Sequence, residues 1–244
     1  MKRILAIFIT LCMLITCVPF AAMAEDQIIG GTFTDEQDTP NTFTWSLNLT
    51  TGALAIDGKG AMTIVTANPW DVSKSTTLIP WAYYGEEKID YRSAIKSISI
   101  GSGITSLGRE LFYGCTSLEE VTVPGNISHS GWGLFMNCTS LKKATLAEGF
   151  KDTGDKIFMG CTALTELNLP NSLSHIRQNI VQGCTSLKTL TLPAGLTFIH
   201  QNAFGDNKGG TDGAAGCYRA YAGKLCAQKA RLQKERHGCA HQAV

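Results

Sequence analysis

The sequence predicts a mainly-β solenoid, and three observations predict it. Cysteines stand at positions 115, 138, 161 and 184, separated by 23 residues each time. Apolar residues recur in several further columns with the same period. Within each period a three-residue stretch runs apolar, polar, apolar, as a half-buried strand does. Of the 244 residues 44% are apolar, 17% are charged and 25 are Gly, which provides for both a core and many turns. The formal net charge of +1 excludes a generally basic nucleic-acid binder and an acidic solvating chain.

Taken in chain order, residues 1–24 read as a secretory signal peptide. Lys2 and Arg3 give the positive start, Ile4 to Val18 the apolar stretch, and Ala22-Met23-Ala24 the small-x-small cleavage pattern. The apolar run is shorter than the ~20 residues that span a bilayer, which disfavours an anchoring helix. Lipid attachment at Cys17 is disfavoured by Thr16 just before it. Export, to the medium or the cell surface, is the expectation. Residues 25–41 are expected to form a mobile tail. Residues 42–94 are expected to form a β-cap over the open edge of the first repeat, because solenoid ends need covers. Thr42 to Leu49 alternates, Thr51-Gly52 turns, Ala53 to Ile56 returns, and Asp57-Gly58-Lys59-Gly60 turns again. Trp45, Trp70 and Trp81 are expected to pack in this cap.

Residues 95–207 hold about five rungs. Ile95, Leu118, Leu141, Leu164 and Leu187 share one column; Ile98, Val121, Ala144, Leu167 and Leu190 another; Ile100, Val123, Leu146, Leu169 and Leu192 a third. Ile104, Ile127, Phe150, Leu173 and Leu196 follow, as do Phe112, Phe135, Phe158, Val181 and Phe204. A period of 20–29 residues containing L-x-x-L-x-L is the signature of a leucine-rich-repeat solenoid. Strands are expected at 121–123, 144–146, 167–169 and 190–192, stacked about 4.8 Å apart. One turn cannot bury its own leucines, so stability becomes a sum over neighbours, at ~1.5–3 kcal/mol for each fully buried side chain. Pro124, Pro170 and Pro193 end three of these strands, where a missing N–H is tolerated.

The cysteine column reads as a ladder of small buried thiols, with Asn207 in the same place in the last rung. Its side chains run in parallel, an arrangement unsuited to disulfides. After Asn207 a Gly-rich linker leads into an expected basic helix within 208–244, from Tyr218 to His237. Contact of this helix with an anionic envelope is an alternative to a merely solvated face. A C-terminal disulfide among Cys217, Cys226 and Cys239, its pairing open, is expected rather than a zinc site with His237 and His241; the odd number of mature cysteines leaves at least one thiol free or pairing between molecules.

The pattern F-x-x-C-x-x-L-x-x-V-x-V-P, carried by Phe112-Tyr113-Gly114-Cys115-Thr116-Ser117-Leu118, resembles the BspA-like branch of the leucine-rich repeats. Thr44-Trp45-Ser46-Leu47, Gly58-Lys59-Gly60-Ala61-Met62, Pro80-Trp81 and Ile95-Lys96-Ser97-Ile98 are similar to the stretch that precedes the repeats in these proteins. The resemblance covers about residues 42–207. It implies an exported or surface-displayed, mostly bacterial protein that adheres to host proteins, matrix or other cells. It implies no shared catalytic residues. The chain departs from the pattern at Val181, which stands for Phe, at Ala147, which stands for Pro, and after Asn207.

Other chemistry is not supported. Gly58-Lys59-Gly60 lacks the flanking Gly and Ser/Thr of a phosphate loop, and no G-x-S-x-G elbow occurs. Ile28-Ile29-Gly30-Gly31 resembles the mature start of a trypsin-like protease, but no matching serine or histidine context follows. His129, Asp152 and His175 share a column, yet two rungs hold the histidines too far apart for one zinc. No cofactor, metal or nucleic acid is expected. The outward strand positions Ser99, Thr122, Thr145, Asn168 and Thr191 form a polar ladder flanked by Glu120, Lys143 and Glu166, a candidate recognition face. Trp132 shares a column with Arg109, Asp155, Gln178 and Gln201 and is expected to be exposed, as a binding anchor beside His129; packing on a neighbouring loop is the alternative. The function expected is a protein-binding or adhesion module for a protein or glycan ligand on host or neighbouring cells, with no catalysis. A structural part of an envelope assembly, attached through the Cys-containing C-terminus, is the alternative.

Overall fold

The computed structural model describes residues 26–34, 41–62, 79–82, 89–200 and 202–204. The expected signal peptide, the basic C-terminal helix, Trp70, Cys217, Cys226 and Cys239 lie outside the described residues. Among those described the fold is mainly β, its one helical piece a 3-10 turn at Arg92–Ala94.

The chain begins with β1 (Ile28–Thr34), β2 (Thr42–Asn48) and β3 (Ala53–Gly58), an antiparallel meander. β2 follows its sequence pattern, with Phe43, Trp45 and Leu47 buried between exposed or half-buried neighbours. Of the expected mobile tail over 25–41, Ile28–Thr34 is strand β1, while residues 25 and 35–40 lie outside the described residues. β1 pairs with β2 through seven residue pairs, from Ile28 with Asn48 to Thr34 with Thr42. Phe33 stacks on Phe43 at 5.4 Å and meets the edge of Trp81 at 6.2 Å. Gly30 permits this close approach: a Cβ there would run into the Trp45 carbonyl.

The repeats then contribute two rows of short strands. One row contains β5 (Ser97–Ile100), β7 (Glu120–Val123), β9 (Lys143–Leu146) and β10 (Glu166–Asn168). The other contains β4 (Gly60–Ala61), β6 (Ile104–Leu107), β8 (His129–Ser130), β11 (His175–Ile176) and β12 (Phe198–Ile199). β7, β9 and β10 pair in parallel, each residue opposite the one 23 positions on, as Glu120 with Lys143 and Lys143 with Glu166. Asp152 joins the second row together by bridging His129 on one side and His175 on the other. The preceding segment docks on both rows: β3 pairs in parallel with β5, and β4 with β6.

A third set of bonds closes each repeat onto the next. Phe112, Phe135 and Phe158 donate N–H bonds to the carbonyls of Leu134, Ile157 and Ile180, at 2.8–3.0 Å. This path requires two residues per repeat at positive φ. One column is Gly114, Asn137, Gly160 and Gly183, with φ of 71, 62, 77 and 78°. Gly and Asn are the residues that tolerate this region best, which explains their recurrence just before each Cys.

Inside, the columns interlock. Trp81, Phe112, Phe135 and Phe158 form a continuous stack with centroid spacings of 5.9, 5.3 and 5.6 Å. Trp81 thus supplies the stack's first ring from outside the repeats, and its indole N–H donates to the Leu111 carbonyl at 2.9 Å. Leu118, Leu141, Leu164 and Leu187 are buried, as are Ile127, Phe150, Leu173 and Leu196.

One expected strand is missing. Leu190 is buried and Thr191 exposed, as the pattern demands, but 190–192 forms no ladder with β10. A cleft of about 400 Å³ opens there, lined by Glu166, Leu167 and Asn168 on one side and Thr191, Leu192 and Pro193 on the other. The proline column shortens the ladder without abolishing it, since β10 still pairs with β9. Ala147 extends the β7–β9 ladder by donating its N–H to the Val123 carbonyl at 2.9 Å. Pro170 and Pro193 have no N–H with which to repeat that bond.

Candidate binding surfaces

The cysteines are the innermost of the singled-out residues. Cys115, Cys138, Cys161 and Cys184 are buried free thiols. Cys138, Cys161 and Cys184 donate Sγ–H bonds at 3.1 Å to the carbonyls of Phe112, Phe135 and Phe158. Each thiol therefore adds a second donor to a carbonyl of the preceding repeat that already accepts the N–H of that repeat's own cysteine, at 3.1–3.3 Å. Burial pushes the Cys184 thiol up to about 12. The hydrogen bond with Cys138, together with burial, also raises Cys115 and Cys161. Thiols held protonated, as Cys115, Cys161 and Cys184 are, make poor nucleophiles and poor metal ligands.

The outward face of β7, β9 and β10 carries the polar ladder. Glu120, Thr122, Glu166 and Asn168 are exposed, and Lys143 and Thr145 half-buried. These groups engage one another. Lys143 Nζ pairs with Glu166 Oε1 at 2.9 Å, and Asn168 Nδ2 donates to Glu166 Oε1 at 2.7 Å and to Thr145 Oγ1 at 3.4 Å. The Asn168 amide and the Lys143 ammonium hold the Glu166 carboxyl below the usual carboxylate range. Beside them Lys142 pairs with Glu119 at 2.7 Å. Exposed pairs of this kind add little stability, but they fix side-chain positions on a flat surface. Thr191 continues the line only across the cleft, since its strand is unpaired.

His129 and Trp132 lie elsewhere, with the second row of strands. Trp132 corrects the expectation of an exposed anchor: it is half-buried. The Arg109 guanidinium stands 5.4 Å from its ring centroid and the Lys156 ammonium 5.0 Å. Sequence columns had placed Arg109 in register with Trp132. Lys156 was missed, because it belongs to the next column and reaches the ring through a turn with φ of 58°. The signal available was the second left-handed column, Glu110, Gly133, Lys156 and Asn179. Next to the ring is a recess of about 270 Å³ whose walls include His129, Asp152, Asp155 and Arg177. Arg177 grips Asp152 with two bonds, Nε to Oδ1 at 2.8 Å and Nη2 to Oδ2 at 2.5 Å. Asp155 Oδ1 accepts the Gln178 N–H at 2.9 Å, and the exposed His129 ring sits 3.1 Å from Ser128 Oγ. His129, Asp152 and His175 are backbone neighbours. Among the described residues no group of three or more His, Cys, Asp or Glu is arranged to hold a metal ion.

A leucine rich repeat protein of T. pallidum is 24% identical with a TM-score of 0.43, the match covering 68% of this chain and 64% of that one. A leucine rich cell surface protein of Faecalibacterium prausnitzii is 21% identical with a TM-score of 0.37, over 72% of this chain and 52% of that one. The pneumococcal vaccine antigen PcpA is 22% identical with a TM-score of 0.38, over 46% and 32%. The chain thus spans less than two thirds of the length of each. No curated protein matches it. Residues 86–209 match six copies of the BspA type leucine rich repeat region, against the roughly five rungs expected. Half of the sequence lies within that match, and the chain belongs to the BspA-type leucine-rich-repeat family.

Proposed function

We propose that this chain is an exported protein-binding module, displayed at the cell surface or secreted, whose contact face is the polar ladder of β7, β9 and β10. In this reading residues 1–24 direct export. The repeats form a solenoid, and the β1–β3 meander is its N-terminal cap. The observation that carries the reading is the fixed surface chemistry. Glu166 is held by both Lys143 and Asn168, and Thr145 is tied to Asn168 across the ladder. A flat sheet with side chains already ordered loses little further entropy when a partner docks, which favours recognition. Charges of both signs along the ladder set orientation and reject like-charged partners. No catalytic step is part of this function.

Residues 25–244 immobilised and challenged with extracellular-matrix proteins and host-cell lysates should retain a protein ligand. Glu120→Lys with Glu166→Lys should weaken that retention at least tenfold while leaving the unfolding temperature within a few degrees. Retention unchanged in this double variant would remove the ladder as the contact face.

A further inference from the structure

From β7 to β10, main-chain bonds step from repeat to repeat, and they stop at the outer edge of β10. The Glu119 carbonyl accepts the N–H groups of Lys142 and Lys143, and the Lys142 carbonyl accepts those of Thr165 and Glu166, at 2.8–3.3 Å. Among the described residues no N–H of the next repeat reaches the Thr165 carbonyl. The phase of the ladder extends this to Leu167. Glu166 turns its main-chain groups toward β9, so Leu167, one residue on, turns its own the other way, into the cleft. Neither its N–H nor its C=O has a hydrogen-bond partner among the described residues. Residues 190–192 lie across the cleft and do not pair with β10. A strand edge with unpaired donors and acceptors is a template for another strand.

The walls of the cleft select what kind of strand. Leu167, buried, and Leu169 and Leu192, half-buried, line it; Glu166, Asn168, Thr189 and Thr191 make an exposed polar rim. An occupant therefore needs apolar residues toward the leucines alternating with polar ones toward solvent. Charge selects as well. Glu120, Lys143 and Glu166 alternate in sign down their column, and the next position is the neutral Thr189. Among the described residues Glu166 is the one charged side chain lining the cleft. Lys143 and Asn168 both engage its Oε1, which leaves Oε2 for a further cation.

We propose that this cleft receives an extended segment of a partner protein, which pairs with the β10 edge and sets a Lys or Arg beside Glu166. A helix, whose main-chain bonds are internal, would leave the Leu167 N–H and C=O unpaired. The volume of about 400 Å³ lies within the range of ligand sites and suits a short stretch of strand. The site is the edge of the ladder and not its outward face, so binding at one does not require binding at the other.

Residues 25–244 are titrated with a blocked heptapeptide of alternating threonine and valine in which one threonine is replaced by lysine, and with the same peptide carrying glutamate there. The lysine peptide should bind at least threefold more tightly than the glutamate peptide, and Glu166→Gln should erase that preference. Hydrogen exchange read by NMR should find the Leu167 amide exchanging freely in the chain alone and at least tenfold more slowly with the lysine peptide bound. Docking on the outward face would leave that amide unchanged, so failure of the edge site is distinguishable from failure of the contact face. N-methylating alternate residues of the lysine peptide, in one phase or the other, should abolish binding. Slow exchange of Leu167 without peptide would mean that 190–192 closes on β10 itself, and would overturn the proposal. So would binding that survives N-methylation in both phases, equal affinity for the two peptides, or no binding of the lysine peptide at millimolar concentration.

Discussion

At its N-terminal end the repeat stack is closed by residues that do not belong to the repeats. β3 adds four parallel residue pairs to β5, β4 pairs with β6, and Trp81 stacks on Phe112 at 5.9 Å. Near the C-terminal end the reverse occurs. Residues 187–196 carry the repeat's leucines in phase, yet the β10 edge is unpaired and a cleft of about 400 Å³ separates it from 189–194. The other two sides of the same boundary stay bonded: His200 donates to Ile176, and Ile180 to Ala203, at 2.8–2.9 Å. Apolar periodicity places a repeat in the stack without deciding whether its strand joins the sheet: β10 pairs with β9 although Pro170 lacks an N–H, whereas 190–192 does not pair with β10. A non-repetitive segment that supplies strand edge and aromatic ring in register docks more completely than this true repeat does.

The largest effects test the ends against each other. Trp81→Ala removes an aromatic stack and the bond to the Leu111 carbonyl, so it should cost about 3–5 kcal/mol in urea unfolding. Leu190→Ala, beside the open cleft, should cost about 2 kcal/mol, the low end for such a truncation. Equal losses would mean that the two boundaries are packed alike. A second measurement asks whether the opening reaches the interior. Cys184 belongs to the last rung of the thiol column, yet its folded value is raised to about 12 against ~8.5 in an unfolded chain. Its stabilising contribution is therefore complete below about pH 8.5 and declines as pH rises toward the folded value. By pH 10 about 2 kcal/mol should be gone relative to pH 7, and Cys184→Ala should remove that part of the slope. A thiol alkylated quickly by iodoacetamide at pH 8 would show instead that the cleft extends to the core. The smallest effect concerns the cause. Pro193→Ala restores an N–H opposite the Leu169 carbonyl. A net bond of ~0.5–1.5 kcal/mol is offset by ~0.4–1 kcal/mol of lost chain stiffness, so stability should change by less than about 1 kcal/mol. Slow hydrogen exchange at the new amide would report the closed ladder, whereas free exchange would clear the prolines of responsibility.

What the sequence made legible follows the same division. Inward columns such as Phe112, Phe135 and Phe158 could be read directly, because each repeat buries the same position at the same depth. Cys115 to Cys184 could be read for the same reason, although their carbonyl acceptors could not. β1 was hidden because the role of Gly30 depends on the Trp45 backbone lying against it. The unpaired 190–192 segment was hidden because alternation is a local property, whereas a ladder depends on a partner. At the surface, the Lys143–Glu166 pair followed from column arithmetic. The environment of Trp132 did not, since Lys156 comes from an adjoining column through a left-handed turn.

The pleat that fails to close between Glu166 and Thr191 has a mechanical consequence. Tension applied along the stack acts on its joints in series, and a joint bonded on two sides, as after β10 and between β5 and β7, yields before one bonded on three. Pulling from the C-terminal side should detach the last coil as a separate early step, sparing the Trp132 recess and the β7–β9 face behind it. A force-extension trace in which the whole stack ruptures at once would contradict this. For a protein anchored at one end and loaded at the other, such a weak joint would act as a fuse.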